Sequence, residues 1–285
     1  MSYILEVDHL NKAYTDFELK DINFKLEHGM IMGLVGRNGA GKTTLIQTIL
    51  GILKYDGNIK IQGLDCMQYE KETKDICSFV LDKNPFIVQV SALGNARMFG
   101  PYYSKWDEKK FIEYAKKFGV NIKKPLNKLS DGTVIKFQLA FALSHEAKLF
   151  VFDEPSAGLD PFFRKELMDI MYEIVESGEC SVLFSTHLTQ DLDQIADYIT
   201  MLDQGKVLFS MSKEEMLDQY CLVKGNYTQI HGIEKKRIIG IRDTEVFSEG
   251  LIYKEGFKNE QNLNCSQPTI EDIMYYMTKG SEELE

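Results

Sequence analysis

The stretch Met30-Ile31-Met32-Gly33-Leu34-Val35-Gly36-Arg37-Asn38-Gly39-Ala40-Gly41-Lys42-Thr43 decides the fold. Residues 30–35 form an apolar run typical of a buried strand, and residues 36–43 follow the pattern Gly-x-x-x-x-Gly-Lys-Thr. Glycines at these positions let successive backbone N–H groups surround phosphate oxygens at the start of a helix. A strand, a glycine-rich loop and a helix in this order predict an α/β core with a phosphate site.

The residue types of this loop also predict which phosphate-bearing ligand it holds. The Lys42 ammonium suits the β- and γ-phosphates of ATP, the Thr43 hydroxyl suits Mg²⁺, and Thr44 would donate on the α-phosphate side. We therefore expect ATP and Mg²⁺ as cofactors. The loop residues expected to contact them are Gly36, Arg37, Asn38, Gly39, Ala40, Gly41, Lys42, Thr43 and Thr44.

Two later apolar runs end in residues suited to phosphate chemistry. The first ends in Asp153 and Glu154, where Asp153 would hold Mg²⁺ through water and Glu154 would activate the attacking water. The second ends in His187, which could reach a γ-phosphate because parallel sheets place ligands at the carboxyl ends of their strands. Apolar strands often end in an acidic turn, and a single histidine at a strand end is commonly a surface or capping residue. Lys42, Glu154 and His187 are the candidate catalytic residues.

Hydrophobic patterning predicts the remaining elements. The pattern around the loop predicts strands between Tyr3 and Val35, a helix over residues 43–53, and a turn at Asp56-Gly57-Asn58 before a strand at residues 59–61. Buried parallel strands are expected to end near residue 81, at residues 148–153 and at residues 181–185. An aromatic-rich stretch over residues 91–118 favours helices. Further on, the pattern predicts strands at 237–241 and 250–253 and a helix at 269–277.

Composition limits the classes of function. The 285 residues carry a formal net charge of −10, which argues against a broad nucleic-acid-binding surface, so no nucleic-acid partner is expected. No apolar run approaches the roughly 18 residues that a membrane span needs, and the first residues lack a secretion signal. The five cysteines form no Cys-x-x-Cys pair, which favours thiols in a reducing compartment.

Taken together, these motifs resemble those of the ABC ATPase family, over roughly residues 5–205. The segment Ser156-Ala157-Gly158-Leu159-Asp160 is similar to the family's D-loop, which touches an opposing subunit, and Tyr14 matches the aromatic that stacks on adenine. The resemblance implies a P-loop NTPase (RecA-like) core at residues 1–82 and 134–212, with an N-terminal antiparallel β subdomain. It also implies a helical subdomain at 83–133 that carries the signature motif, and a small α+β accessory domain at 213–285.

The sequence departs from the family pattern in two motifs. The signature is usually Leu-Ser-Gly-Gly-Gln, whereas residues 129–133 here are Leu-Ser-Asp-Gly-Thr. Ser130 can cap the following helix. Gly132 would face the γ-phosphate of ATP held by the other subunit, and Asp131 would add a negative charge at the same place. Asp82 replaces the usual Q-loop glutamine; it could bind Mg²⁺ or water but cannot donate a hydrogen bond while ionised.

These departures, together with Tyr102-Tyr103-Ser104-Lys105-Trp106-Asp107, resemble the bacterial ABC-2-type exporter ATPases, a branch that includes antibiotic-responsive and peptide-exporting systems. The resemblance implies a subunit that dimerises with a second ATPase subunit, hydrolyses ATP and drives export through an integral membrane permease. It also implies a cytoplasmic protein held at the inner face of the membrane by that permease. A non-transport ABC ATPase acting as a scaffold or regulator would share every motif and stays open as the alternative.

Overall fold

The computed structural model describes residues 2–257 and 263–282, in which strands and helices alternate over most of the chain. The strands are β1 (Tyr3–Ala13), β2 (Glu18–Glu27), β3 (Ile31–Val35), β4 (Asp56–Ile61), β5 (Leu64–Asp65), β6 (Cys77–Val80), β7 (Leu149–Phe152), β8 (Ser181–Ser185), β9 (Tyr198–Asp203), β10 (Lys206–Ser212), β11 (Tyr220–Gly225), β12 (Ile238–Asp243), β13 (Ser248–Tyr253) and β14 (Asn264–Ser266). The α-helices are α1 (Lys42–Ile49), α2 (Glu70–Asp75), α3 (Ala92–Phe99), α4 (Glu108–Lys117), α5 (Asp131–Ala142), α6 (Pro161–Val175), α7 (Thr189–Ile195), α8 (Lys213–Gln219), α9 (Tyr227–His231) and α10 (Ile270–Glu282).

The central sheet positions the phosphate loop. Its strand order is β10-β9-β3-β8-β7-β6, and the strands from β9 to β6 are parallel. Strands β3, β7 and β8 are buried along their whole length, as their uninterrupted apolar runs predict. Because parallel strands end at the same edge, the segments that follow β3, β7 and β8 meet there.

A second, antiparallel sheet covers one face of this core, in the order β2-β1-β4-β5. The predicted turn at Asp56-Gly57-Asn58 is wrong, because these residues begin β4 and pair with β1. Gly57 adopts a φ of 101° at an irregularity in the pairing, where a Cβ would lie 2.2 Å from the carbonyl oxygen of His9. Glycine here therefore lies opposite a β-bulge in β1, where the two backbones approach closely. The chain turns later, at residues 62–63.

Helices α3 and α4 lie within the aromatic-rich stretch for which the sequence predicts them, and α5 follows. The stretch is not continuous: α3 ends at Phe99, before Pro101, and the Trp106 ring packs where a side chain on Gly100 would lie. The Phe86 ring packs edge-on against those of Phe137 and Phe141 on α5. These aromatic contacts join the helical layer to the same core as the central sheet.

The C-terminal residues form a third sheet, with the order β12-β13-β11-β14. Its hydrophobic pattern predicted β12 and β13 to within a few residues but not β11 or β14. Helix α9 covers one face, and α10 packs between the other face and α7. Across residues 2–257 and 263–282, no helix has both the length and the apolar character required to cross a membrane.

Candidate functional site

The glycine-rich loop connects β3 to α1 and leaves the start of α1 open to a ligand. Gly41 precedes the helix with a φ of 108°, and as a glycine it has no side chain that could cap the first amide groups. The Phe17 ring occupies the space where a Cβ of residue 41 would lie, only 2.6 Å from that position. Backbone N–H groups at such a helix start carry partial positive charge and suit phosphate oxygens.

Lys42 is the cation of this loop, and its side chain is only 8% exposed. Its Nζ donates to the carbonyl oxygen of Gly36 at 2.8 Å and lies 3.8 Å from Oε1 of Glu154. Burial lowers the pKa of Lys42, while the nearby carboxylates of Glu154 and Asp153 act in the opposite direction. The ammonium is thus held between the loop and the acidic end of β7.

Asp153 and Glu154 follow β7, as the sequence predicts, and Ser185 at the end of β8 binds both. The Ser185 hydroxyl donates to Oδ1 of Asp153 at 2.7 Å and accepts the Glu154 N–H at 2.9 Å. Burial raises the pKa of Asp153, whereas hydrogen bonds from Ser185 and Thr43 lower it. The bond from Thr43 brings together two of the three residues proposed for Mg²⁺.

Glu154 and His187 meet across the ends of β7 and β8. Nδ1 of His187 lies 2.7 Å from Oε2 of Glu154. Glu154 has a φ of 48°, a conformation that L-residues adopt rarely and that persists where the surroundings enforce it. The structure therefore brings Lys42, Glu154 and His187 into one cluster.

Tyr14 and Asp82 lie at the periphery of this cluster. Tyr14 is 48% exposed, with Nζ of Lys12 5.0 Å above its ring, and its N–H donates to Phe17, the residue that contacts the loop at Gly41. Asp82 is exposed, and its charge contributes to the raised pKa of Asp153. Both side chains are accessible to solvent.

Ser130 caps α5, as the sequence predicts. Its hydroxyl accepts the Thr133 N–H at 3.3 Å and lies 2.8 Å from the Thr133 hydroxyl. Gly132 faces the D-loop of its own chain, since a Cβ there would lie 2.9 Å from the carbonyl oxygen of Gly158. Within one chain, Ser130 therefore contacts the first turn of α5, and Gly132 lies against the D-loop. Glu154 and His187 instead contact each other in the phosphate cluster.

Sequence reasoning missed the roles of two polar residues near the cluster. The Gln138 amide on α5 bonds both the N–H and the carbonyl of Leu81, next to Asp82, at 2.9 and 3.0 Å. For Ser185, described above, the sequence predicts only a place at the end of a buried strand. A glutamine within the otherwise apolar second half of α5 and a serine ending a buried strand are the signals that could have indicated them.

Comparison with known proteins identifies the family. A family profile described as ABC transporter matches residues 19–157. The ABC transporter ATP-binding protein YdbJ of Bacillus subtilis is 31% identical over 215 residues, which cover 73% of this chain and 69% of that protein. The bacitracin transport ATP-binding protein BcrA of Bacillus licheniformis is 27% identical over 263 residues, 88% of this chain and 85% of that protein.

Solved structures agree with this result. The cbiO1 subunit of Clostridium perfringens, part of an ABC transporter complex, superimposes with a TM-score of 0.62 at 28% identity over 76% of this chain and 91% of its own. An ATP-binding cassette solved as a dimer with ADP and Pi gives a TM-score of 0.66 at 21% identity, over 73% of this chain and 98% of its own, which supports the fold.

The fold and the cluster define a P-loop ATPase, and the chain belongs to the ATP-binding proteins of ABC transporters. It is an ATP-binding subunit that hydrolyses ATP to drive transport. Its relatives include proteins named for bacitracin transport, linearmycin resistance and lantibiotic transport. The exporter branch predicted from the sequence is thus confirmed.

Proposed function

We propose that this subunit powers the export of a peptide, antimicrobial or lipid-like compound through a separate integral membrane permease. It would act in the cytoplasm, at the inner face of the membrane. The observation that carries the proposal is an apolar groove of about 600 Å³ beside Asp82, between the central sheet and the helical layer. We also propose the domain division 1–82 with 134–212, 83–133 and 213–285.

The groove has the character of a docking site for a helical segment of a permease. Its walls include Leu81, Phe86 and Phe99, and charged residues of α2 also line it. Tyr102 on its rim is 81% exposed, and Ile52 is 56% exposed. Exposed apolar side chains around an apolar groove favour a protein partner.

The groove and the ATP site share a structural connection. Leu81 lines the groove, and its backbone is bonded to Gln138 of the signature helix α5. Asp82 follows immediately and lies close enough to Asp153 to affect its pKa. Movement of a permease segment in the groove would therefore act on both the signature helix and the metal-binding end of the site.

Within the site, we propose that residues 36–44 and Tyr14 hold ATP, with Lys42 on its β- and γ-phosphates. Thr43, Asp153 and Asp82 supply the hydroxyl and carboxylate oxygens that Mg²⁺ prefers, and bound Mg²⁺ would neutralise phosphate charge. Glu154 orients and deprotonates the attacking water, and His187 contacts the γ-phosphate.

The site is completed by a second ATPase subunit, identical or homologous. In a head-to-tail dimer, Ser130 and Gly132 of one subunit face the γ-phosphate held by the loop of the other. The amides at the start of α1 suit the phosphates of the nucleotide, and the Ser130-capped start of α5, which carries the acidic Asp131, would face that nucleotide from the other subunit. ATP binding would close the dimer and hydrolysis would reopen it.

The test uses two variants in which glutamate replaces an exposed apolar residue, one at the groove and one remote from it. The chain is co-expressed with the permease encoded beside its gene, and co-purification, ATPase stimulation and resistance to bacitracin and a lantibiotic are measured. We expect Tyr102→Glu to abolish all three, and Val246→Glu, at an 88% exposed position in the hairpin between β12 and β13, to leave them intact. If the wild-type chain hydrolysed ATP at its full rate but did not bind the permease, the result would instead favour a non-transport ABC ATPase that acts as a scaffold or regulator.

A further inference from the structure

Asp191 on α7 is a buried carboxylate that binds three other segments of the site. Its side chain is only 3% exposed. Oδ1 accepts two hydrogen bonds from the Arg164 guanidinium on α6, at 2.9 Å from Nε and 2.6 Å from Nη2. Oδ2 accepts the Ser156 hydroxyl at 2.9 Å and the Thr186 hydroxyl at 3.2 Å. Both carboxylate oxygens are thus used, and the ion pair with Arg164 offsets the cost of burying the charge.

The two hydroxyls that meet at Oδ2 come from the segments that carry Glu154 and His187. Ser156 lies two residues after Glu154, and the intervening Pro155 has a fixed φ, so that this connection is short and stiff. Thr186 immediately precedes His187, and its hydroxyl also accepts the Leu188 N–H at 3.0 Å. The Asp191 carboxylate therefore joins the segment of Glu154 to the segment of His187.

A second connection joins the same segments on the other side. Ser185 binds Asp153 and the Glu154 N–H, at 2.7 and 2.9 Å. Glu154 and His187 thus lie between two sets of hydrogen bonds, one through Ser185 and one through Asp191. Because Glu154 has a φ of 48°, its conformation depends on such external restraints.

We infer that Asp191 is a positioning residue for hydrolysis, which holds Glu154 and His187 in register through Ser156 and Thr186. This inference rests on the roles proposed above for Glu154 and His187. The 2.7 Å contact between them then depends on a carboxylate whose two oxygens are both bonded to other protein groups. Small displacements of a catalytic group can lower a rate by orders of magnitude, so losing this carboxylate should reduce turnover more than ATP binding.

The test compares Asp191→Asn and Ser156→Ala with Ser78→Ala in the full chain. Ser78 is the matched control, because its buried hydroxyl makes a 2.9 Å hydrogen bond to the Ala142 carbonyl and it lies on the edge strand β6, which β7 separates from β8. The turnover number is normalised to the sites that bind ATP, so that partial unfolding does not count as lost catalysis. We expect a loss of about 10-fold for Asp191→Asn and about 3-fold for Ser156→Ala, with KM for ATP within about 2-fold and Ser78→Ala unchanged.

A double-variant cycle with Glu154→Gln tests whether Asp191 acts through Glu154. Asp191→Asn should lower turnover little further in that background, because residues that act as a unit are non-additive. Wild-type turnover per ATP-binding site in Ser156→Ala would overturn the inference, even if Asp191→Asn failed to fold, as would an equal loss in Ser78→Ala. Near-normal turnover of Glu154→Gln itself would overturn the proposed role of Glu154 and this inference with it.

Discussion

The Glu154 carboxylate lies between His187 and Lys42, with Oε2 at 2.7 Å from Nδ1 of His187 and Oε1 at 3.8 Å from Nζ of Lys42. The phosphate loop and the ends of β7 and β8 therefore share one acidic side chain, which is 17% exposed. A γ-phosphate bound at Lys42 would compete with Glu154 for the ammonium and leave the carboxylate available to an attacking water.

Replacing Glu154 separates ATP binding from hydrolysis. We expect Glu154→Gln to bind ATP and to lose about 100-fold or more of its turnover, because an amide cannot accept the proton of the attacking water. Binding and steady-state hydrolysis are measured on the same preparation. Glu179→Gln, which removes an exposed carboxylate beside Lys148, serves as the control. Near-normal turnover of Glu154→Gln would refute its assignment as the base.

Asp131, the first residue of α5, is exposed in the atypical signature sequence. If this helix end faces a γ-phosphate in the dimer, the carboxylate repels it, and Asp131→Gly should speed ATP-dependent dimerisation or turnover by about 3- to 10-fold. The same change should lower the melting temperature, because an acidic residue in the first turn stabilises a helix by about 0.3–1 kcal/mol.

Asp131→Ser is the companion variant, since it removes the charge without introducing glycine into the helix. A gain of rate in both variants would assign the effect to the charge. If neither dimerisation nor turnover changed in either variant, Asp131 would have no role beside the γ-phosphate.

The sequence predicts the site best where its chemistry is local. The strand before Gly36, the glycine loop and the acidic end of β7 each occupy a few consecutive residues, and periodicity indicates their structure. Parallel strands then bring these segments to one edge of the sheet, so the cluster of Lys42, Glu154 and His187 follows from topology.

Other parts of the structure depend on contacts between residues far apart in the sequence. The segment Asp56-Gly57-Asn58 has the composition of a turn, but it pairs with β1 and forms a strand opposite a bulge in β1, where Gly57 lies close to the His9 backbone. Gln138 binds Leu81, 57 residues away, and Asp191 binds Ser156, 35 residues away. Nothing in the local sequence specifies such partners, because tertiary packing selects them.

Tyr14 gives a prediction about affinity alone. Stacking of a base on an aromatic ring contributes about 1–3 kcal/mol, so Tyr14→Ala should raise KM for ATP by about 10-fold and leave the turnover number unchanged. Tyr14→Trp should restore the affinity. Tyr227→Ala is the matched control, because Tyr227 is 63% exposed and its ring stacks on His231 in the C-terminal sheet domain. An unchanged KM in Tyr14→Ala would exclude Tyr14 from the adenine site.

His145 gives a prediction about stability and pH. Its ring is buried and stacked on Tyr103 at 4.0 Å, and Nε2 lies 3.2 Å from the Cys77 carbonyl. Burial lowers the pKa of His145, with the Cys77 carbonyl and the Asp75 carboxylate acting in the opposite direction. The unfolded chain therefore binds a proton at this residue more readily than the folded chain does. The contribution of His145 to the free energy of unfolding is therefore complete above about pH 6.5. It falls as the pH decreases toward the pKa of His145 in the folded chain, by at most about 1.4 kcal/mol per pH unit.

We expect His145→Gln to be less stable than the wild type at pH 7.5 and the difference to narrow at pH 5.5, as measured by urea unfolding. His9 is the control of opposite sign, because its hydrogen bond to Asp21 raises the pKa of His9. The contribution of His9 is present below about pH 6.5 and lost as the pH rises, so the deficit of His9→Gln should widen on acidification. A deficit of His145→Gln that stayed constant from pH 7.5 to 5.5 would show that His145 does not titrate differently in the folded and unfolded chains.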